Sequence, residues 1–213
     1  MAKLLNGILG RGAGKISGVV MSHWKGISYA RGYAIPANPS TEPQKAQRKK
    51  IRIGVALGKA LVGQVLKPYW NKFARDMSGY NRWISENINV FTDPMSYSQV
   101  KMCVGQLWGV PTGSGSATNG SVIFSWTGSD IGNNGSSTDK VYAIAYSPVS
   151  RLYYFAAAPV ARAMETIGIP VDVGEFGNIL HIWAWAAKYS STSPTLLELV
   201  SESKHVAQEY TWL

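Results

Sequence analysis

Apolar and polar residues alternate with a period of two near the start of the chain and again after Ser96, and a helical period separates the two stretches. Residues 16–24 (ISGVVMSHW) and 27–35 (ISYARGYAI) predict two short strands joined at Lys25-Gly26. In the second, Ile27, Tyr29, Tyr33 and Ile35 share one face, while Ser28, Ala30, Gly32 and Ala34 share the other. Seven glycines within residues 1–32 argue against a helix or a central strand there. A lone hairpin is marginal in water, so this one must lie on the rest of the chain or on a neighbour.

Pro36, Pro39 and Pro43 then impose a stiff, extended connector. Thr41 followed by Gln44 has the spacing of a capping box. From there the pattern predicts a helix over 42–66 that stops before Pro68, with Ile53, Leu57, Leu61 and Val65 as its buried stripe. Gly54, Gly58 and Gly63 each weaken that helix by about 1 kcal/mol relative to Ala, a cost that close helix packing would offset. Residues 68–90 read as two short helices broken at Ser78-Gly79, with Tyr69, Trp70, Phe73 and Trp83 facing the long helix. Beyond Ser96 lie seven candidate strands, near 97–104, 121–127, 140–147, 151–157, 160–167, 179–189 and 196–204. The run ILHIWAWAAKY is apolar almost throughout, which predicts a central strand covered on both faces. The expected class is α+β. An N-terminal glycine-rich β-hairpin arm (1–40) precedes a short helical segment (41–92) and an immunoglobulin- or fibronectin-like β-sandwich (93–213).

Composition adds an expectation about surface. Apolar residues make up 46% of the chain, enough for a core and against wholesale disorder. Charged residues are only 15%, against about 25% in an average domain. With eight Trp and eleven Tyr, much of the surface suits contact, which leans toward an assembly component. Residues 1–75 hold nine lysines and five arginines against one acid, Glu42, whereas residues 102–213 hold eight acids against five basic residues. Lys45, Arg48, Lys49, Arg52 and Lys59 fall along one face of the long helix, a basic stripe suited to nucleic acid or to the acidic half of a neighbouring copy. No apolar run approaches the roughly 18 residues of a membrane span. The start, MAKLLNGILGRGAGK, is interrupted by Asn6, Gly7, Gly10 and Arg11 and does not make a signal peptide. Synthesis in the cytoplasm without export is expected, with a virion or released particle as the destination.

Catalytic chemistry finds little support. GRGAGK at residues 10–15 fails as a phosphate loop, because Leu9 and Ile16 stand where glycine and a magnesium-binding hydroxyl are needed. No GxSxG elbow occurs. His23, His181 and His205 lack metal-ligand spacing, and Cys103 is the only cysteine. The twelve acids cluster nowhere. The chain is therefore expected to be no enzyme and to use no cofactor, metal or small-molecule substrate. His181, between Ile179 and Trp183, reads as a hydrogen-bonded core or interface histidine.

Several motifs carry a resemblance. They are Gly14-Lys15, the turn Trp24 to Gly26, and Asn38, Pro39, Thr41 and Gln44 in an N-P-x-T-x-x-Q stretch followed by Gln47-Arg48. Further on come Trp126, Asp139, Tyr146-Ser147-Pro148, Arg162, Pro170 and the stretch VSES at 200–203. On these residues the chain resembles an uncharacterised family of proteins of similar length, common in Bacteroidetes. The NPxTxxQ stretch with its Trp-rich helical pair also resembles proteins encoded by tailed phages and prophages. Met21-Ser22 stands where that family often has a glycine, and EYTWL at 209–213 is an extra, amphipathic tail. The resemblance implies a fold and no activity. The leading expectation is a self-assembling structural protein of a virion, particle or filament. Its arm, bearing Trp24, Ile27, Tyr29, Tyr33 and Ile35, is exchanged between copies. A packaging protein using the basic stripe on nucleic acid is the second class, and a carbohydrate- or surface-binding sandwich the third.

Overall fold

The computed structural model describes residues 2–4, 13–24, 27–35, 37, 40–111, 113–118, 120–127, 132–171, 179–193 and 195–209. They form two compact units, Met1–Glu42 and Pro43–Leu213. The first is a four-stranded antiparallel sheet of β1 (Ala2–Leu4), β2 (Gly14–Ile16), β3 (Val19–Trp24) and β4 (Ile27–Gly32), in the order β1-β4-β3-β2. The predicted hairpin is β3 with β4, in register from Val19↔Gly32 to Trp24↔Ile27. Its turn, Lys25-Gly26, lies outside the described residues. Pairing puts Met21 opposite Ala30, on the face of small residues, and Met21 is the one buried side chain described in this unit.

The second unit begins on helix α1 (Glu42–Leu61), which continues as a π-helical segment, Val62–Trp70. The expected stop before Pro68 is thus corrected. Proline has no N–H to give, and its ring crowds the carbonyl four residues back; a widened turn accommodates both. Leu57, Leu61 and Val65 are buried as expected, and Ile53 partly so. Helix α2 (Gly79–Asn87) starts at Ser78, whose hydroxyl accepts from the Asn81 N–H at 3.2 Å. A Cβ on Gly54 would sit 2.4 Å from the Phe91 ring, and one on Gly58 would sit 2.7 Å from the Trp83 ring. Bare backbone at these two positions is what lets α2 and the following turn approach α1. Gly63 faces open space and gives no such return.

The remaining strands are β5 (Ser114–Thr118), β6 (Ser121–Ser125), β7 (Lys140–Tyr146), β8 (Tyr153–Phe155), β9 (Val160–Ala161), β10 (Thr166–Pro170), β11 (Ile179–Tyr189), β12 (Leu197–Val200) and β13 (Lys204–Glu209). One antiparallel sheet has the order β10-β6-β5. In the other, β11 pairs with β7 on one side and with β12 and β13 on the other, while β7 also pairs with β8 and β9. The central strand β11 is buried on both faces. Leu180, Ile182, Ala184 and Ala186 share a core with Val122, Phe124, Ile167 and Ile169 of the smaller sheet. Trp183, Trp185 and Ala187 share another with Leu57, Leu61, Val65, Trp70 and Trp83 of the helical segment. The result is an α+β chain whose β-rich part is sandwich-like, with helices over the outer face of its larger sheet.

The expected strand at 97–104 is not one. A 3₁₀ turn, Tyr97–Gln99, leads into a stretch outside any strand, residues 100–103, whose backbone is served chiefly by side chains. The Val100 carbonyl accepts from the Trp183 indole at 3.0 Å, the Lys101 carbonyl from Trp83 at 2.8 Å, and the Met102 carbonyl from Trp70 at 2.7 Å. Asn87 takes the Lys101 N–H at 2.8 Å and gives its own N–H to the same residue's carbonyl at 3.1 Å. The Ser203 hydroxyl accepts from the N–H groups of Met102 and Cys103. Elsewhere the expected 160–167 strand divides around a 3₁₀ turn, Arg162–Met164, and the 196–204 strand divides into β12 and β13.

Replacing Asn87 by Leu keeps most of the volume but leaves the part-buried Lys101 N–H without its acceptor. A fully buried donor left unsatisfied costs about 1–3 kcal/mol; at this part-buried site the loss is at the low end of that range and should appear as a lower urea midpoint with an unchanged m-value. A midpoint equal to that of the wild type would show the Asn87 bridge to be dispensable.

Candidate functional site

The arm residues fall at the end of the first sheet and just past it. Trp24 pairs with Ile27 across the hairpin, and the Trp24 side chain lies outside what is described. Ile27, Tyr33 and Ile35 are 42%, 47% and 81% exposed, and Tyr29 is half-buried. The strand ends at Gly32, so of these four residues only Ile27 and Tyr29 lie on one face of β4; Tyr33, beyond it, donates its N–H to the Gly18 carbonyl at 2.7 Å. Lys15 holds its ammonium 3.5 Å above the Tyr33 ring, a cation–π contact. Ile16 and Val19 are exposed as well.

Lys45, Arg48, Lys49, Arg52 and Lys59 are all exposed on α1. Lys49 forms an ion pair with Asp93 at 2.9 Å. Lys49 and Arg52 also line a groove of about 500 Å³ between α1 and the β7–β8 hairpin. Ile53, Ala56, Leu57 and Ala60 supply its apolar side, while Tyr97, Tyr146, Tyr153 and Arg151 face them. The rings make a ladder: Tyr153 to Tyr146 at 4.6 Å, Tyr146 to Tyr97 at 5.7 Å, and Tyr97 stacked on His181 at 4.2 Å. Burial raises the pKa of all three phenols, Tyr146 to about 12, against a smaller opposite pull of Arg151 on Tyr97 and Tyr146. The three hydroxyls therefore stay protonated and able to donate. That of Tyr153 is buried and has no hydrogen-bond partner among the described residues.

Sequence reasoning identified the two helix cations but not the residues facing them. Tyr146 and Tyr153 sit opposite each other in the β7–β8 register, so the hairpin in YSPVSRLYY carried a usable signal. Tyr97 carried none. The motif residues Trp126, Asp139 and Arg162 converge on structure rather than chemistry. The Trp126 indole donates to the Arg162 carbonyl at 2.9 Å, and the fully buried Arg162 guanidinium lies 3.7 Å from Asp139 and donates to the carbonyls of Trp108 and Gly109. Cys103 is fully buried, and burial pushes its thiol up, which suppresses the reactive thiolate. Among the described residues no three His, Cys, Asp or Glu side chains gather as a metal site, and no helix is long and apolar enough to cross a membrane.

The structure does bring two histidines together. Trp183 lies opposite His205 in the β11–β13 register, which makes His181 and His205 diagonal neighbours, with Nδ1 of the first 3.0 Å from Nε2 of the second. Burial holds both at about 4 instead of the ordinary 6.5, and His181 lowers His205 further. In the unfolded chain each histidine binds its proton as pH falls through 6.5, whereas in the folded chain neither does until about 4. Stability should therefore decline from pH 6.5 toward 4 and contribute nothing further below. Urea midpoints across that range should fall more steeply for the wild type than for a His181→Gln/His205→Gln variant. Parallel curves would show that the pair does not titrate with folding.

Among family models, one described as Family of unknown function (DUF6266) matches residues 11–187, from just before β2 to within β11. No curated protein and no solved structure matches the chain. With a single family model covering well over half of its length, including the hairpin, the helices and both faces of the sandwich, the chain belongs to this family of unknown function.

Proposed function

We propose that the chain is a non-enzymatic, self-assembling structural subunit of a virion, particle or filament, joined to neighbouring copies through its N-terminal sheet. The observation that supports this best is the exposure of Ile16, Val19, Ile27, Tyr33 and Ile35 on a compact unit ending at Glu42. Below about 40 residues a fold usually needs disulfides, metals or association, and this unit is barely longer and has no cysteine. Covering each large apolar side chain is worth roughly 1.5–3 kcal/mol, so a partner surface would add appreciably to its stability. Strands β1 and β2 lie at the edges of that sheet, where a strand from another copy can add. Charge favours a copy as the partner. Residues 1–42 carry five basic residues and one acid, and the acidic excess of residues 102–213 is complementary.

Deleting residues 1–35 should yield a folded monomer, where the full chain assembles; light scattering and circular dichroism read both outcomes. Unfolding of the truncated chain, or a full chain that stays monomeric, would sink the proposal.

The exposed basic stripe favours a second reading, a packaging subunit that contacts nucleic acid. Changing Lys45, Arg48 and Arg52 to Glu should weaken association between copies, most strongly at low salt, and leave the fold intact. If assembly is unchanged but co-purifying nucleic acid is lost, the stripe serves the packaging reading.

A further inference from the structure

We infer that the groove between α1 and the β7–β8 hairpin binds a phosphomonoester with a flat or apolar body. This stands independently of self-assembly, and either can fail without the other. Three cations, Lys49, Arg52 and Arg151, line the groove against one carboxylate, Asp93. Asp93 is already engaged by Lys49 at 2.9 Å, so the excess positive charge rests with the two guanidiniums. Guanidinium groups match the oxygen geometry of phosphate, and two of them match the charge of its dianion better than that of a carboxylate.

The tyrosine hydroxyls supply the second half of the recognition. A protonated phenol can donate to an anionic oxygen; Tyr97 and Tyr146 already share a hydrogen bond, which leaves the Tyr153 hydroxyl as the uncommitted donor among the three. The buried Tyr153 hydroxyl is the sharpest pointer. Tyr153 lines the groove, and its hydroxyl is shielded from solvent and has no partner among the described residues. A buried donor without an acceptor is uncommon in a native fold, and a ligand oxygen would satisfy it. The apolar wall from α1 and the faces of Tyr97 and Tyr146 suit the remainder of the ligand, and a volume of about 500 Å³ admits a ring with its phosphate.

Titration calorimetry of the full chain with phenyl phosphate, inorganic phosphate, benzoate and a thymidine oligonucleotide lacking terminal phosphates tests this. Phenyl phosphate should bind more tightly than any of the other three. Arg52→Gln and Arg151→Gln should each weaken it about tenfold, the scale of one charge-assisted hydrogen bond. Tyr153→Phe should weaken it several-fold while leaving the unfolding temperature of the free protein unchanged or higher, because no existing bond is lost. Lys67→Gln, on the π-helical segment and outside the groove, should leave the affinity for phenyl phosphate unchanged. No binding of phenyl phosphate, or binding indifferent to both arginine changes, overturns the site. Tighter binding of the oligonucleotide overturns the monoester in favour of a nucleic-acid backbone. A Tyr153→Phe variant that loses stability but not affinity removes the hydroxyl from the recognition.

Discussion

Residues 100–103, with Val100, Met102 and Cys103 buried, have no strand ladder to serve their backbone, and the second unit is organised around satisfying it. Peptide groups removed from water must find partners or cost free energy comparable to a lost hydrogen bond. Here three indoles, one amide and one hydroxyl do this, and they come from the π-helical segment, from α2, from β11 and from the turn before β13. Each partner has to arrive within about 3 Å, so the helices cannot shift on the sheet without breaking several bonds at once. Tryptophan suits the task because it fills a large apolar volume and carries one donor at its edge.

How much of this could be read beforehand follows the same logic. The strand β11 was legible because both of its faces are apolar, and the stripe of α1 because Leu57, Leu61 and Val65 keep helical spacing. The fate of residues 97–104 was not legible, since their apolar content looks like that of a strand whatever serves the backbone. Strand β5, with the sequence SGSAT, has no alternation to betray it and exists because β6 offers it a register. The π-helical continuation past Pro68 depends on packing of Tyr69 and Trp70, which outweighs the local tendency of proline to end a helix. The histidine pair needed the diagonal register of β11 and β13, and the groove needed α1 and the β7–β8 hairpin in one place. Tertiary placement is absent from any local window.

The basic stripe, continuous in sequence terms, is divided by the fold. Lys49 and Arg52 turn toward tyrosines and a third cation on the hairpin, whereas Lys59 lies outside that groove. One helix face thus serves two surfaces of different character, one lined with aromatic rings and one open to solvent. Proximity along the helix does not make the five cations a single site.

The bonds around residues 100–103 also impose an order in time. Ser203 reaches Met102 across 101 positions and Trp183 reaches Val100 across 83, while Trp83 reaches Lys101 across only 18. On the ribosome the helical segment and this stretch emerge long before their distant partners exist, so water must serve the Val100 carbonyl and the Met102 N–H in the interval. Contacts of such separation give a high contact order and slow folding, and until β11 arrives the apolar side of the helices has nothing to cover it. A nascent chain of this design therefore carries an uncovered apolar helix face for much of its synthesis.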